Sequence, residues 1–178
     1  MKIEICKCTQ KDVEAVGAFY DREVLYMDES GTNYPLWTYK VYPSSDSVAE
    51  RTREGCQYFC TLNGEICGAF VLNDNPGGNY DNGSFQKTLK NGEYLVIHTL
   101  LSDHKLSGKG IATLAVEFCI KTAKAQGYKA VRIDVVPENT PAIKLYEKLG
   151  FSFAGKVDLG RNIKEIPYFS LYEYNFED

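Results

Sequence analysis

No stretch of this chain stays apolar for the roughly 18 residues that a membrane-spanning helix needs, so no such helix is expected. The start, MKIEICKCTQKD, lacks the uninterrupted apolar run of a secretory signal, and the expectation is a soluble, cytoplasmic protein. Basic charge is not in excess. Twenty Lys and Arg against 24 Asp and Glu leave a net charge of −4, which gives no basis for a general nucleic-acid or anionic-membrane partner. Histidine is scarce, with two residues, and the six cysteines form no C-x-x-C pair. No metal site is therefore expected, and reduced, packed thiols are the default. Two nucleotide motifs are missing as well: G-x-x-x-x-G-K-[ST] and G-x-G-x-x-G occur nowhere. No internal repeat is visible.

What is present is a chain of 178 residues, 44% hydrophobic, enough for one packed domain over 1–178. It is organised around Tyr94 to Ala125. Tyr94 to Leu101 (YLVIHTLL) is apolar and β-prone, a polar loop follows, and Ser107-Gly108-Lys109-Gly110 leads into IATLAVEFCIKTAKA. Ile111, Leu114, Ala115, Phe118 and Thr122 fall on one helical face and Gly127 provides a stop. The first turn of such a helix offers backbone N–H groups without intrahelical partners and the positive end of the macrodipole. Glycines at 108 and 110 let an anion approach the main chain, and Lys105 and Lys109 are local cations beside it. A phosphate cradle is the expectation; solvated surface lysines are the plainer reading of that pair.

The remaining elements read from local signals. Residues 2–8 form a first strand, and Thr9 with Asp12 starts a helix through Val13, Val16, Phe19 and Tyr20. Leu25 to Tyr42, rich in aromatics and broken by Gly31 and Pro35, reads as a loop or irregular helix. A second helix runs from Ser45 or Asp46 to near Gly55. Gln57 to Leu62 and Glu65 to Leu72, joined by Asn63-Gly64, form a hairpin. The glycine-rich stretch from Asn73 to Gly92 has little pattern, and loops of that length tend to be functional or disordered. A strand at 130–136, a helix begun by Asn139 or Thr140 with Pro141 in its first turn, and strands at 151–157 and 167–176 complete the order βααβββαβαββ.

Two segments resemble the GCN5-related N-acetyltransferases (GNAT). Ser107-Gly108-Lys109-Gly110-Ile111-Ala112 is similar to their pyrophosphate motif [QR]-x-x-G-x-[GA], with Ser107 where Gln or Arg is usual. Asn139 to Phe151 is similar to their N-x-x-A-x-x-L-Y-x-x-x-G-F helix at every signature position. The resemblance implies an α/β fold with a mixed, mostly antiparallel twisted sheet flanked by helices. It also implies acetyl-CoA as acyl donor and transfer of its acetyl group to a primary amine of a small molecule or peptide by direct attack. In that family the fourth strand bulges and splays, and its main-chain groups pair with the pantetheine arm; by position these are Leu100, Leu101 and Ser102. The motif gives Gly108, Lys109, Gly110, Ile111 and Ala112, with Ser107, to the pyrophosphate, and Asn139 to the cofactor at the mouth of its helix. Dimers are common in the family, so a homodimer is an available assembly.

The resemblance makes Tyr146 the general acid and a further donor contact. Spacing alone reads it as a core aromatic, since Ala142, Ile143, Leu145 and Leu149 share its helix. His98, in the central strand, is the candidate base through water, against the plainer reading of a packed core histidine. Glu65, Glu93 and Asp134 are the other carboxylates at strand positions or edges. The resemblance implies an acceptor site between Leu25–Tyr42 and Asp158–Pro167, where Tyr26, Tyr34, Trp37 and Tyr39 would enclose the acceptor and Asp28 and Glu29 attract its ammonium; the plainer reading is that these aromatics fill a core gap under an irregular segment. An alternative is a catalytically weak acyl-CoA-binding sensor, which the serine at 107 and the lack of a clear base keep open. A cysteine hydrolase has no support, because no cysteine sits in an elbow-like nucleophile setting.

Overall fold

The computed structural model describes residues 2–177. Strand β1 (Ile3–Lys7) leads to helices α1 (Val13–Ser30) and α2 (Ser45–Arg53), then β2 (Gln57–Leu62), β3 (Glu65–Asn73) and β4 (Tyr94–Ser102). Helix α3 (Ile111–Ala125), β5 (Ala130–Val135), α4 (Thr140–Lys148), β6 (Ser152–Val157) and β7 (Phe169–Asn175) follow. This is the order expected from sequence. The strands form a seven-stranded sheet in the order β1-β2-β3-β4-β5-β7-β6. Among the described residues no helix is long and apolar enough to cross a membrane. Two compact units make up the chain: residues up to Leu72 together with His98–Val116, and Asn73–Ile97 together with the residues from Glu117 onward.

In the first unit β1 runs antiparallel to β2, with Ile3 opposite Leu62 and Lys7 opposite Tyr58. The β2–β3 hairpin turns on Asn63 (φ +53°) and Gly64 (φ +84°), the two positive angles a type I′ turn requires. Its core gathers Val13, Val16, Phe19 and Tyr20 from α1, with Val48, Phe59 and Ala69. Thr9 and Asp12 do begin α1, but by another contact: the Asp12 carboxylate accepts from Thr9 N and Oγ1 at 2.8 and 2.6 Å and caps no helical N–H itself. Helix α2 starts with a full capping box between Ser44 and Ser47.

Two expectations are corrected here. Leu25 to Ser30 continues α1 as regular helix rather than loop or irregular helix: the good helix formers Leu, Met and Glu carry it on until Gly31 stops it, whose N–H turns back to Asp28 O. The buried side of α3 is Ile111, Ala115, Val116, Cys119 and Ala123, and Leu114 is 40% exposed, so the stripe lies one position round from that read in the sequence.

In the second unit the start of β4 pairs parallel with β5, Tyr94 opposite Ala130. Strand β5 runs antiparallel to β7, and β7 to β6. The segment after β3 is anchored rather than patternless. Around the short 3₁₀ turn Tyr80–Asn82, buried Tyr80 donates to Asp134 Oδ2 at 2.6 Å, and Arg161 grips the same carboxylate through both terminal nitrogens at 2.6 and 2.9 Å. Arg132 is buried between the rings of Phe85 and Tyr94, 3.6 and 4.1 Å from their centroids, and bonds Glu173 at 2.7 Å.

Candidate functional site

The end of β4 departs from regular strand geometry at Thr99, whose φ is +46°. A β-branched residue in the left-handed region costs about 1–3 kcal/mol and persists only where its surroundings hold it there. Upstream, Tyr94 to Ile97 are buried; from His98 to Ser102 the strand is half-buried. Tyr20, with no exposure, reaches from α1 to donate its hydroxyl proton to Thr99 O at 2.9 Å. Packing is tight alongside. A Cβ on Gly68 of β3 would stand 3.2 Å from Leu101 O and 2.9 Å from Ile111 Cγ2, so only glycine lets the strand end and the start of α3 close up this far.

Between β4 and α3 the chain makes a braced turn. Asp103 N–H donates to Cys67 O, Asp103 Oδ1 accepts from Lys105 N–H at 2.9 Å, and Arg22 donates to Asp103 Oδ2 at 2.8 Å. Buried Glu23 accepts from His104 N–H at 3.0 Å and sits 2.9 Å from His104 Nδ1, while Tyr26 stacks on the imidazole with centroids 3.7 Å apart. Glu23, Asp103 and His104 offer ligand atoms within 4.8 Å of one another, but those atoms already serve each other and Arg22.

The turn ends in Gly108 (φ +77°) and Gly110 (φ +81°), and no atom lies within 4 Å of where a Cβ on either would sit. The first helical bond of α3 is Leu114 N–H to Gly110 O at 3.0 Å, which leaves the N–H groups of Ile111, Ala112 and Thr113 at the open end of the helix. Ser107, Gly108 and Lys109 are exposed, as is Lys105. Unhindered backbone, donors without helical partners and two lysines together suit a multiply charged anion.

The second unit carries the other two expected residues. Asn139 accepts from Ala142 N–H at 3.3 Å, the cap that the sequence allowed. Tyr146, 5% exposed, packs against Phe151 with ring centroids 5.7 Å apart. Its burial pushes the phenol up from its ordinary value, and Cys119 and Asp134 add smaller pushes in the same direction. Among the described residues no hydrogen bond engages its hydroxyl. Two of the alternative carboxylates are already committed, Asp134 to Arg161 and Tyr80, and Glu93 to Lys129.

The family model "Acetyltransferase (GNAT) family" matches residues 18–151. The chain belongs to the GNAT family. Among curated proteins, the GNAT chain is 27% identical over 163 residues to the streptothricin acetyltransferase of Escherichia coli, covering 89% of this chain and 84% of that protein. An acetyltransferase of the GNAT family from Streptococcus agalactiae has the same fold, with a TM-score of 0.77 at 17% identity, covering 99% of this chain and 96% of that one. The yncA protein of Salmonella typhimurium, solved with its cofactor acetyl-CoA, aligns with a TM-score of 0.70 at 15% identity over 99% of this chain and 95% of that one.

Within the first unit the GNAT chain brings together His98, Leu100, Leu101, Ser102 and the whole of Ser107–Ala112; Asn139 and Tyr146 stand in the second. Thr99, Tyr20, Glu23 and His104 carry no site motif in the sequence, and the structure adds them. A glutamate within the apolar stripe of Val16, Phe19, Tyr20 and Val24 was a readable signal, because such a residue is rarely buried without a partner. Nothing local marks Thr99, whose residue type argues against its conformation.

Proposed function

We propose that this GNAT protein transfers an acetyl group from acetyl-CoA to a primary amine of a small molecule. One observation carries the reading: the Gly108-Lys109-Gly110 turn, open above both glycines, opens into the unpartnered N-terminus of α3. Gly108, Lys109, Gly110, Ile111 and Ala112 would hold the pyrophosphate through main-chain donors, with Ser107 giving a weaker grip than Gln or Arg. Leu100, Leu101 and Ser102 would pair with the pantetheine arm, and Asn139 would contact the cofactor from the mouth of α4. Acetyl-CoA supplies, when bound, a thioester carbonyl already activated toward an amine.

The chain then has little covalent work to do and gains rate from positioning and from donors aimed at developing charge. An N–H after the Thr99 kink is the donor for the carbonyl oxygen. Tyr146 holds its proton firmly and presents it as a hydrogen-bond donor to a departing thiolate. His98 is the base, taking the ammonium proton through water. The aromatics in and after the last turns of α1 divide: Tyr26 is engaged by His104, while Tyr39 and Tyr42 are exposed beside Leu36 and Val41. The streptothricin acetyltransferase relationship favours a small cationic amine over a peptide.

The deciding experiment measures free-thiol release from acetyl-CoA against polyamines, amino acids, aminoglycosides, streptothricin and short peptides, with acetyl-CoA binding titrated in parallel. Amine-dependent release is the expected result. Binding without release across the panel would move the reading to an acyl-CoA sensor, and no binding would overturn the cradle. For the base, His98→Ala is expected to lose the acidic limb of the pH–rate profile; an intact limb assigns the proton to another acceptor.

A further inference from the structure

The strained residue of β4 is held from one side by a buried polar chain that none of the roles above uses. Tyr20 lies in the core of the first unit, and its hydroxyl donates to Thr99 O at 2.9 Å, with Thr99 Oγ1 at 3.3 Å. Behind it stands Gln57, 1% exposed, whose Nε2 donates to Phe70 O at 3.0 Å and Tyr58 O at 3.1 Å and lies 3.5 Å from Tyr20 Oη. That amide is fixed by two main-chain carbonyls, one on each strand of the β2–β3 hairpin. The phenol is therefore backed on one side by a fixed amide nitrogen whose protons serve those two carbonyls, and on the other it faces a single accepting carbonyl.

The consequence lies in the backbone. A threonine leaves φ near +46° unless something holds it, because its branched Cβ crowds the preceding carbonyl. Here the held atom is its own carbonyl oxygen, so the peptide plane joining Thr99 to Leu100 is fixed by Tyr20. That plane also carries the Leu100 N–H, and it sets where the following main-chain donors begin.

We infer that Tyr20, backed by Gln57, is a positioning residue: it clamps the Thr99 carbonyl and thereby aims the main-chain groups of Leu100–Ser102 at the acyl donor. This rests on the acetyl-CoA reading of the strand end, but the clamp itself does not. One turn along the same helix Glu23 holds His104, so α1 fixes both the kinked strand and the turn that follows it.

The test uses the full chain and three variants. Tyr20→Phe removes the hydroxyl and keeps the ring. It is expected to lower kcat for amine-dependent thiol release by about tenfold, the scale of leaving a buried carbonyl without its donor. Amide exchange at residues 99–102 should accelerate in the ligand-free protein. Tyr20→Phe/Thr99→Gly is the discriminating variant, since glycine occupies positive φ without a clamp. It is expected to regain most of the lost kcat. Val16→Ala, in the same core, should lower the melting temperature without speeding exchange at 99–102 selectively. A double variant as slow as Tyr20→Phe, or a Val16→Ala variant with the same exchange pattern, would overturn the positioning role. Clamped exchange in a wild-type protein that binds no acetyl-CoA would leave the clamp standing, overturn its aim at the acyl donor and overturn the proposed function.

Discussion

Tyr146→Phe is expected to reduce turnover by roughly ten- to a thousandfold while the dissociation constant for acetyl-CoA stays within about twofold. In the proposed role the two quantities separate, because the hydroxyl would meet a charge that exists only as the thiolate departs, whereas the ring does the packing. Phenylalanine keeps the contact with Phe151 and the burial on α4, so the melting temperature should hold. Full proton transfer from a phenol to a thiolate is already uphill at their ordinary values, and burial of the phenol steepens it, which makes a hydrogen bond to the thiolate the more effective contribution. The sign of the shift fixes the pH dependence. A raised phenol is fully protonated below its ordinary value of 10.0, so no falling alkaline limb below about pH 10 should belong to Tyr146. Unchanged turnover in steady-state assays would remove Tyr146 from the reaction.

Glu173→Ala carries the largest expected loss of stability, about 3–5 kcal/mol by urea unfolding. Arg132 and Glu173 side chains are 3% and 2% exposed, and the guanidinium has ring faces against it on Phe85 and Tyr94. Alanine leaves that cation buried with Lys87 O and the Tyr94 hydroxyl as acceptors, strips Gln86 N–H of Glu173 Oε1, and leaves Asn175 Nδ2 with Gln86 Oε1 alone. The cost is thus the stranded charge rather than the strength of the pair. Removing both charges with Arg132→Met and Glu173→Leu should cost much less than Glu173→Ala alone. A loss below about 1 kcal/mol in the single variant would show that water reaches the guanidinium once the carboxylate is gone.

The elements that could be read in advance are those whose signals sit within a few residues of one another. Asn63-Gly64, Pro141 with Asn139, and the glycines before α3 each fix local backbone by their own chemistry, and each stands where it was expected. Helix α1 outruns its sequence signals because aromatic residues in and after its last turns resemble a loop in composition while their helix-forming neighbours continue the helix. The candidate site divides along the same line. Its glycine turn before α3 is a local motif and was legible. Its supports are not: Tyr20 to Thr99 spans 79 residues and Glu23 to His104 spans 81. Arg132 with Glu173 and Tyr80 with Asp134 were hidden for the same reason, at separations of 41 and 54. Pairings at such distances are set by the packed sheet, and one sequence carries no record of them.

The segment between β3 and β4 looks like a convenient place to graft a tag or a fluorophore, being glycine-rich and polar. Its glycines say otherwise. A Cβ on Gly83 would stand 2.8 Å from Leu171 Cδ1, and one on Gly78 would stand 3.0 Å from the main-chain oxygen of Leu159, while Ser84 N–H is bonded to Ala154 O at 2.7 Å. An insertion there would pry the segment off the strands it is stitched to. The hairpin tip at Gly64 is open, with no atom within 4 Å of a Cβ, but its φ of +84° strains any side chain placed there, so a label belongs beside the turn with the glycine itself kept.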